Sequence, residues 1–412
     1  MASRAAARKR SVARKRPIEY SILYTATLCL LAGGAVMVYS ASSAESLLAG
    51  SGDASFYLKR YLLFGVIGLV VLHAASRHGL AAIRALTPLM VVGGFVLTIA
   101  VMLPGVGVTV NGATRWLGAG PFQFQPAELL KVSLVFYGAQ VLAARPRSTR
   151  TVGGLMKPLL LVVGAACLVL LTQPDMGSAM VICFAIGALL IAAGTPIRIL
   201  GLIGGVLIGL ATIGALAEPY RRARLTSFLD PFSDAGGTGF QAVQALTAIG
   251  SGGLFGVGLG ESVQKIFYLP EAHTDMILAI IGEELGLVGI SAVIVLYGMI
   301  GYAGLRTAKL AGDLYSKLLA AGITSMILCQ ATLNFFAVLG MAPLTGVPLP
   351  FLSYGSSNLV VLLGAMGLLL NVAAAGGQAR RERPARPELE AIPGGGAAGR
   401  SRVLRGARAR AR

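Results

Sequence analysis

The sequence predicts an all-α fold: a polytopic integral membrane helical bundle of about ten transmembrane helices, both termini cytoplasmic, with a large extracytoplasmic loop between spans seven and eight. Three observations carry that prediction. Of 412 residues, 55% are hydrophobic and only 13% charged, with a mean hydropathy of +0.76, whereas a soluble domain carries about a quarter charged residues. Apolar runs of about twenty residues, the length that crosses a bilayer core, recur along the chain. The connections between them alternate in Lys and Arg content as the positive-inside rule requires.

The runs fall near residues 20–41, 58–75, 83–104, 126–144, 155–172, 176–194, 197–216, 275–303, 314–340 and 355–375. The first follows a basic stretch, as a secretion signal would, but it is longer than a signal's apolar region and reads as an uncleaved span. Arg77, His78 and Arg84 follow the second run, and Arg145, Arg147, Arg150 and Lys157 the fourth. Arg198 follows the sixth, and Arg306, Lys309 and Lys317 the eighth. Every even-numbered connection is basic, which places both termini inside. The chain therefore divides into a basic tail (1–19), a membrane domain (20–376, with the loop 217–274) and a second basic tail (377–412) whose composition reads as disordered. The formal net charge of +18 gathers at these tails, which suits anionic lipid headgroups and argues against nucleic acid. Cys29, Cys167, Cys183 and Cys329 lie far apart inside apolar runs. That spacing indicates neither a zinc site nor a disulfide framework.

The outward connections hold cations that the positive-inside rule does not explain. Lys59 and Arg60 can snorkel from the start of span two. Arg115 lies in the 105–125 connection, Arg221, Arg222 and Arg224 open the loop 217–274, and Lys265 lies near its end. Acidic partners such as Glu218, Asp230 and Asp234 are one explanation, and an anionic ligand is another. A loop this long is more often functional than idle, and residues 240–249 carry the pattern of a short amphipathic helix. The last outward connection, 341–357, contains three prolines and two glycines. Irregular backbone at membrane depth is tolerated only against protein or a wet cavity, so this segment is expected to line a cavity on the outer face.

Directly before span eight, residues 260–276 pack Glu261, Lys265, Glu271, His273 and Asp275 into one short run. Ionisable groups at a membrane boundary are costly unless paired or wetted, so the cluster is a functional-site candidate. Its sequence, Tyr268-Leu-Pro-Glu-Ala-His-Thr-Asp275 followed by Ile281-Gly-Glu-Glu-Leu-Gly-Leu-Val-Gly289, resembles the SEDS family of shape, elongation, division and sporulation proteins. Asn111-Gly-Ala-Thr-Arg-Trp116, Gln125-Pro-Ala-Glu-Leu-Leu-Lys131, Gln173-Pro-Asp-Met-Gly-Ser178, Arg224-Leu-Thr-Ser-Phe-Leu-Asp-Pro231 and Pro348-Leu-Pro-Phe-Leu-Ser-Tyr-Gly355 agree in order and position. The resemblance covers roughly residues 20–375. Gly258-Leu-Gly-Glu-Ser-Val-Gln-Lys265 is more like the division branch, and Thr345-Gly-Val-Pro-Leu-Pro-Phe351 somewhat more like the elongation branch; the division branch is favoured. Ser356 stands where the family usually has a second glycine, and Phe267 where some division members carry an acid.

The resemblance implies an inverting glycosyltransferase of the bacterial cytoplasmic membrane, acting at the division septum. It would polymerise lipid II into peptidoglycan at the outer face, beside a class B penicillin-binding protein and other divisome membrane proteins. By the family's motif Asp275 is the general base; capping of the following helix is the competing reading. For the substrate, Lys131, Arg115, Arg221 and Arg224 are candidates for the diphosphate, where cations stabilise the departing charge. Glu128, Lys265, Glu271, His273 and Ser353 complete the candidate set. Pro126 suits a first helical turn that Glu128 can cap. Glu283 or Glu284 is expected to face the bundle interior and pair with a cation. No motif demands a metal; Asp175, otherwise a helix cap, is the one position for a divalent cation, magnesium or manganese. A flippase or transporter for a lipid-linked precursor is the alternative, but the ionisable motifs cluster on the outer half.

Overall fold

The computed structural model describes residues 16–48, 52–78, 80–110, 113–119, 122–217, 222 and 226–382. Among the described residues, ten helices lie at the positions of the ten apolar runs. They are α1 (Ile18–Leu48), α2 (Phe56–His78), α3 (Leu80–Ala100), α4 (Pro126–Ala144), α5 (Val152–Thr172), α6 (Met176–Ala192) and α7 (Ile197–Ala217). After the amphipathic helix α8 (Phe240–Gly252) come α9 (Ile277–Leu310), α10 (Leu314–Val338) and α11 (Ser356–Glu382). Eight of them are long and apolar enough to cross a membrane, and α6 and the described part of α7 are shorter apolar helices. A π turn, Met156–Leu160, interrupts α5 beside Pro158, where proline removes a backbone donor.

Burial separates centre from periphery. In α4, α9, α10 and α11, 67–72% of the most apolar window is buried, against 17% in α2 and α3. Such all-round apolar helices sit inside a bundle, while one-sided burial leaves a helix facing lipid. α9 packs along α1, α10 and α8, and α10 packs in turn on α4 and α6.

Two features depart from the expectation. The 105–125 connection is not irregular: it forms a three-stranded antiparallel sheet of β1 (Gly107–Val110), β2 (Ala113–Ala119) and β3 (Phe122–Phe124). Its strands are only four, seven and three residues long, too short for period-two alternation to announce them. The second departure is a break in α9 at Gly286, whose φ is 66° and ψ −162°. A break deep in a bundle must find other partners for its backbone groups. Here the segment after α8 supplies them. Val257 and Gly258 amides donate to the Glu283 and Glu284 carbonyls at 2.9 and 3.1 Å. Leu287 and Val288 amides donate to the Gly253 and Leu254 carbonyls at 3.0 and 3.2 Å.

The irregular connection 341–355 is packed against protein more than it is wet. Val347, Leu349, Phe351 and Leu352 are buried. The Tyr61 and Tyr297 hydroxyls donate to the Phe351 and Pro350 carbonyls, each at 2.5 Å.

Candidate functional site

Asp275 ends a tight turn that the preceding motif builds. The Thr274 and Met276 amides both donate to the Glu271 carbonyl, at 3.1 and 3.2 Å. The Thr274 hydroxyl reaches Glu271 Oε2 at 2.7 Å and Asp275 Oδ1 at 3.2 Å. Helix α9 begins with Met276 at its N-cap and has no side-chain cap. Asp275 stands one residue before that cap, with its Oδ1 beside the Thr274 hydroxyl. Asn334 of α10 clamps this turn to the irregular connection: its Nδ2 donates to the Asp275 carbonyl at 2.7 Å and to the Val347 carbonyl at 2.8 Å. Between them lies Gly346 (φ +68°), where a Cβ would sit 3.8 Å from Asp275 Oδ2. Asp275 is half-buried, so the connection walls one side of a carboxylate that stays accessible. Phe267, Glu271 and Phe351, all non-glycine, have positive φ in the two segments flanking it. Strained backbone of this kind gathers at functional sites.

His273 is buried in the same turn. Its Nδ1 lies 3.5 Å from Glu45 Oε2 at the end of α1, and its ring packs on Tyr57 and Tyr354 at centroid distances of 4.1 and 5.7 Å. The Tyr354 amide donates to the His273 carbonyl at 3.0 Å. His273 thus fastens the turn to α1, α2 and the irregular connection.

A second buried charge cluster lies on α4. Lys131 Nζ is 2.8 Å from Glu128 Oε1, both side chains being almost fully buried, and 3.5 Å from Gln330 Oε1. Glu128 does not cap α4: Gln125 is the N-cap, and no side chain caps it. That corrects the capping reading, since burial beside Lys131 turns the carboxylate into an ion-pair partner. Its Oε2 is buried without a hydrogen-bond partner. Gln330 Nε2 donates to the Pro348 carbonyl at 2.9 Å, so α10 carries Gln330 toward Lys131 and Asn334 toward Asp275. One helix and one connection therefore bring the two clusters to the same region.

Asp175 caps α6 as expected, accepting from the Ser178 amide at 3.0 Å, and Gln125 Nε2 donates to its other oxygen at 3.3 Å. A Cβ on Gly177 would meet the Thr345 carbonyl at 2.6 Å, so the start of α6 abuts the connection that walls Asp275. Among the described residues, no group of three His, Cys, Asp or Glu side chains comes together to hold a metal ion.

The remaining candidates are placed as follows. Arg115 on β2 donates from Nε to the Gln173 carbonyl at 2.9 Å and from Nη2 to the Pro174 carbonyl, tying the sheet to the α5–α6 turn. Lys265 is buried against Glu284 at 2.8 Å, the interior ion pair expected of one of the two adjacent glutamates. Ser353 is buried and its hydroxyl accepts from the Leu349 amide at 2.9 Å, closing a turn. Arg221 and Arg224 lie outside the described residues. Asn334, Gln330, Gln125 and Glu45 were not among the candidates; Asn334 and Gln330 are isolated amides inside an apolar run, and Gln125 and Glu45 lie at helix ends where polar residues are ordinary. Beside the Asp275 turn opens a cleft of about 500 Å³, lined by Phe228, Leu229, Phe240, Leu246, Pro270 and Leu344 among others. Ser227, Thr238 and Gln241 add polar groups to its lining, and Pro270 of the motif forms part of its wall.

The sequence profile of the FtsW/RodA/SpoVE family, described as cell cycle proteins, matches residues 21–377. The probable peptidoglycan glycosyltransferase FtsW of Thioalkalivibrio sulfidiphilus is 44% identical over 357 residues, 85% of this chain and 88% of that one. Stage V sporulation protein E of Bacillus subtilis is 41% identical, covering 85% of this chain and 96% of that one. A chain from a structure titled structural coordination of polymerization and crosslinking by a peptidoglycan synthase complex superposes with a TM-score of 0.71 at 29% identity, covering 86% of this chain and 98% of that one. The rod shape determining protein RodA of Thermus thermophilus gives a TM-score of 0.61 at 27% identity, covering 85% and 95%.

Proposed function

Because the chain belongs to the FtsW/RodA/SpoVE family of cell cycle proteins, we propose that the region around Asp275 polymerises lipid II during cell division, at the outer face of the cytoplasmic membrane. The protein is a multi-pass membrane protein and a peptidoglycan glycosyltransferase of the FtsW kind. One observation supports the assignment of the base: Asp275 stands at the head of a long buried helix, in a turn whose backbone Asn334 ties to the irregular connection. In the proposed step Asp275 takes the proton of the acceptor sugar hydroxyl as its oxygen attacks the donor's anomeric carbon. The bond from that carbon to the diphosphate oxygen breaks with inversion, and the leaving diphosphate carries the electron pair away. Lys131 supplies the cation toward which that charge develops. Glu128 and Gln330 hold its ammonium in place.

Arg115 keeps N–H groups beyond the two spent on carbonyls and is placed at the edge of the diphosphate site, with Arg221 and Arg224 as further contacts. Glu271 borders the acceptor side. Lys265 spends its ammonium on Glu284, Ser40 and the Gly260 carbonyl, and Ser353 accepts from the Leu349 amide, so in this reading both are supports rather than substrate contacts. Asp175 is spent on the α6 cap and on the Gln125 amide and Glu128 on Lys131, so neither is assigned to a resident divalent metal. A magnesium or manganese ion is assigned instead to the substrate diphosphate. The partner is a class B penicillin-binding protein, the kind of transpeptidase that a polymerising and crosslinking complex needs.

The experiment is glycan synthesis from purified lipid II by wild type and Asp275→Asn, each reconstituted with the partner transpeptidase. Loss of a positioned general base costs about 10²–10⁴-fold, so the folded, partner-bound variant should yield almost no polymer. Normal polymer from the variant would remove Asp275 from the role. A positive lipid-flipping assay from a wild type that makes no polymer would support the transporter reading instead.

A further inference from the structure

Three buried ionisable side chains, Lys265, Glu283 and Glu284, take no part in the chemistry above, yet their partners are completely specified. Lys265 Nζ touches Glu284 Oε1 at 2.8 Å, Ser40 Oγ at 3.2 Å and the Gly260 carbonyl at 2.6 Å. The Ser40 hydroxyl, contributed by α1, lies 2.7 Å from both oxygens of Glu284. Next door, Glu283 accepts from the Ser262 hydroxyl and from the Val263 and Gln264 amides, the latter two at 3.0 and 3.4 Å. The Lys265 amide donates to the Ser262 hydroxyl at 3.2 Å. Two of these contacts brace the segment 258–265 internally, the Ser40–Glu284 contact joins α1 to α9, and the others fasten the segment to α9 within a turn of its break or to α1. This segment leads directly into the Asp275 turn.

The break explains why the network is where it is. Gly286 opens the α9 ladder, and residues 253–258 fill the vacant positions with their own backbone. The fit is too close for side chains: a Cβ on Gly256 would sit 2.1 Å from the Glu284 carbonyl, and one on Gly286 would sit 2.5 Å from the Gly256 amide nitrogen. A broken helix, an inserted backbone and two caged carboxylates form one unit. We propose that this unit is a latch that positions Asp275, with Ser40, Lys265, Glu283 and Glu284 as positioning residues. The latch holds the segment 258–276 against α9 and α1, so that the carboxylate meets the acceptor hydroxyl in the reactive orientation. Ser40 makes α1 a member of the catalytic geometry although it lies more than two hundred residues from Asp275 in the sequence.

The catalytic half of this inference rests on the glycosyl-transfer reading, while the latch itself does not, and two measurements separate them. The first is hydrogen–deuterium exchange on the intact complex with the partner transpeptidase, comparing wild type, Ser40→Ala and Lys265→Met. Amides in 258–276 should exchange about tenfold faster in both variants while those of α10 stay unchanged, because a local opening equilibrium is released. The second is steady-state lipid II polymerisation. A misplaced base lowers kcat, by about 100-fold for Lys265→Met and about tenfold for Ser40→Ala, with KM within about twofold. Ser40→Ala removes only a hydroxyl and decides the question even if Lys265→Met fails to fold. Unchanged exchange in Ser40→Ala would overturn the latch. Faster exchange with unchanged kcat would overturn its positioning role. A wild type that forms no polymer would fail the glycosyl-transfer reading and leave the exchange result to decide the latch alone.

Discussion

Lys131 sits more than a turn inside a helix whose surroundings are apolar, with Glu128 at 2.8 Å as its counter-ion. A buried pair of this kind adds little net stability, because desolvation offsets attraction, but removing one partner strands the other charge at about 3–5 kcal/mol. The Lys131→Met variant should therefore show a clearly lowered thermal midpoint in detergent. Adding Glu128→Gln should restore most of it, since no uncompensated charge then remains. Neither variant should polymerise lipid II if the ammonium meets the diphosphate. A double variant that recovers activity along with stability would show the lysine to be structural. At this scale the sequence was informative where charge is improbable: Lys131, Glu128, Asp175 and Asp275 stand out against apolar neighbours. It was uninformative about Asn334 and Gln330. Their importance lies in which carbonyls they reach across the bundle, and a lone amide in an apolar run looks the same whether or not it clamps anything.

The helices themselves were legible because a bilayer demands twenty apolar residues at a time, and their ends were less so. α1 continues past residue 41 to Leu48, and α9 past 303 to Leu310, since polar residues can extend a helix beyond the hydrocarbon. The small sheet was missed because its strands are too short to carry a readable pattern, and the α9 break for a different reason. Gly286 is one glycine among several in Ile281–Gly289, and only the inserted backbone distinguishes it. Its φ of 66° and ψ of −162° fall in a region that is essentially glycine-only and costs other residues about 1–3 kcal/mol. Gly286→Ala should then lower the thermal midpoint markedly and release the 253–258 segment. Gly298 on the same helix, where a Cβ would meet nothing within 4 Å, is the matched control. Gly298→Ala should be neutral or stabilise by up to about 1 kcal/mol, the helix-propensity difference. Equal behaviour of the two variants would mean that α9 tolerates straightening at the break.

Across the whole molecule, the buried charges are distributed unevenly. Asp175, Lys265, Glu283, Glu284 and His273 are buried near the ends of helices that face the 217–274 and 341–355 connections. At the opposite end the buried acid is Glu19, 2.8 Å from Arg306, beside the basic connections. If the basic ends face the cytoplasm, as the positive-inside rule requires, all the proposed chemistry faces the lipid-linked donor outside. Orientation is thus a premise of the mechanism and can be tested without any activity assay. Asp234, exposed in the 217–274 connection, and Arg147, exposed in the connection between α4 and α5, provide the two reporters. In intact cells a membrane-impermeant maleimide should label Asp234→Cys and leave Arg147→Cys unmodified until the membrane is opened. The native cysteines lie in apolar helices, where a charged reagent does not follow. The reverse pattern would put Asp275 on the cytoplasmic side, facing the wrong leaflet for polymerisation, and would exclude the mechanism however well the residues fit.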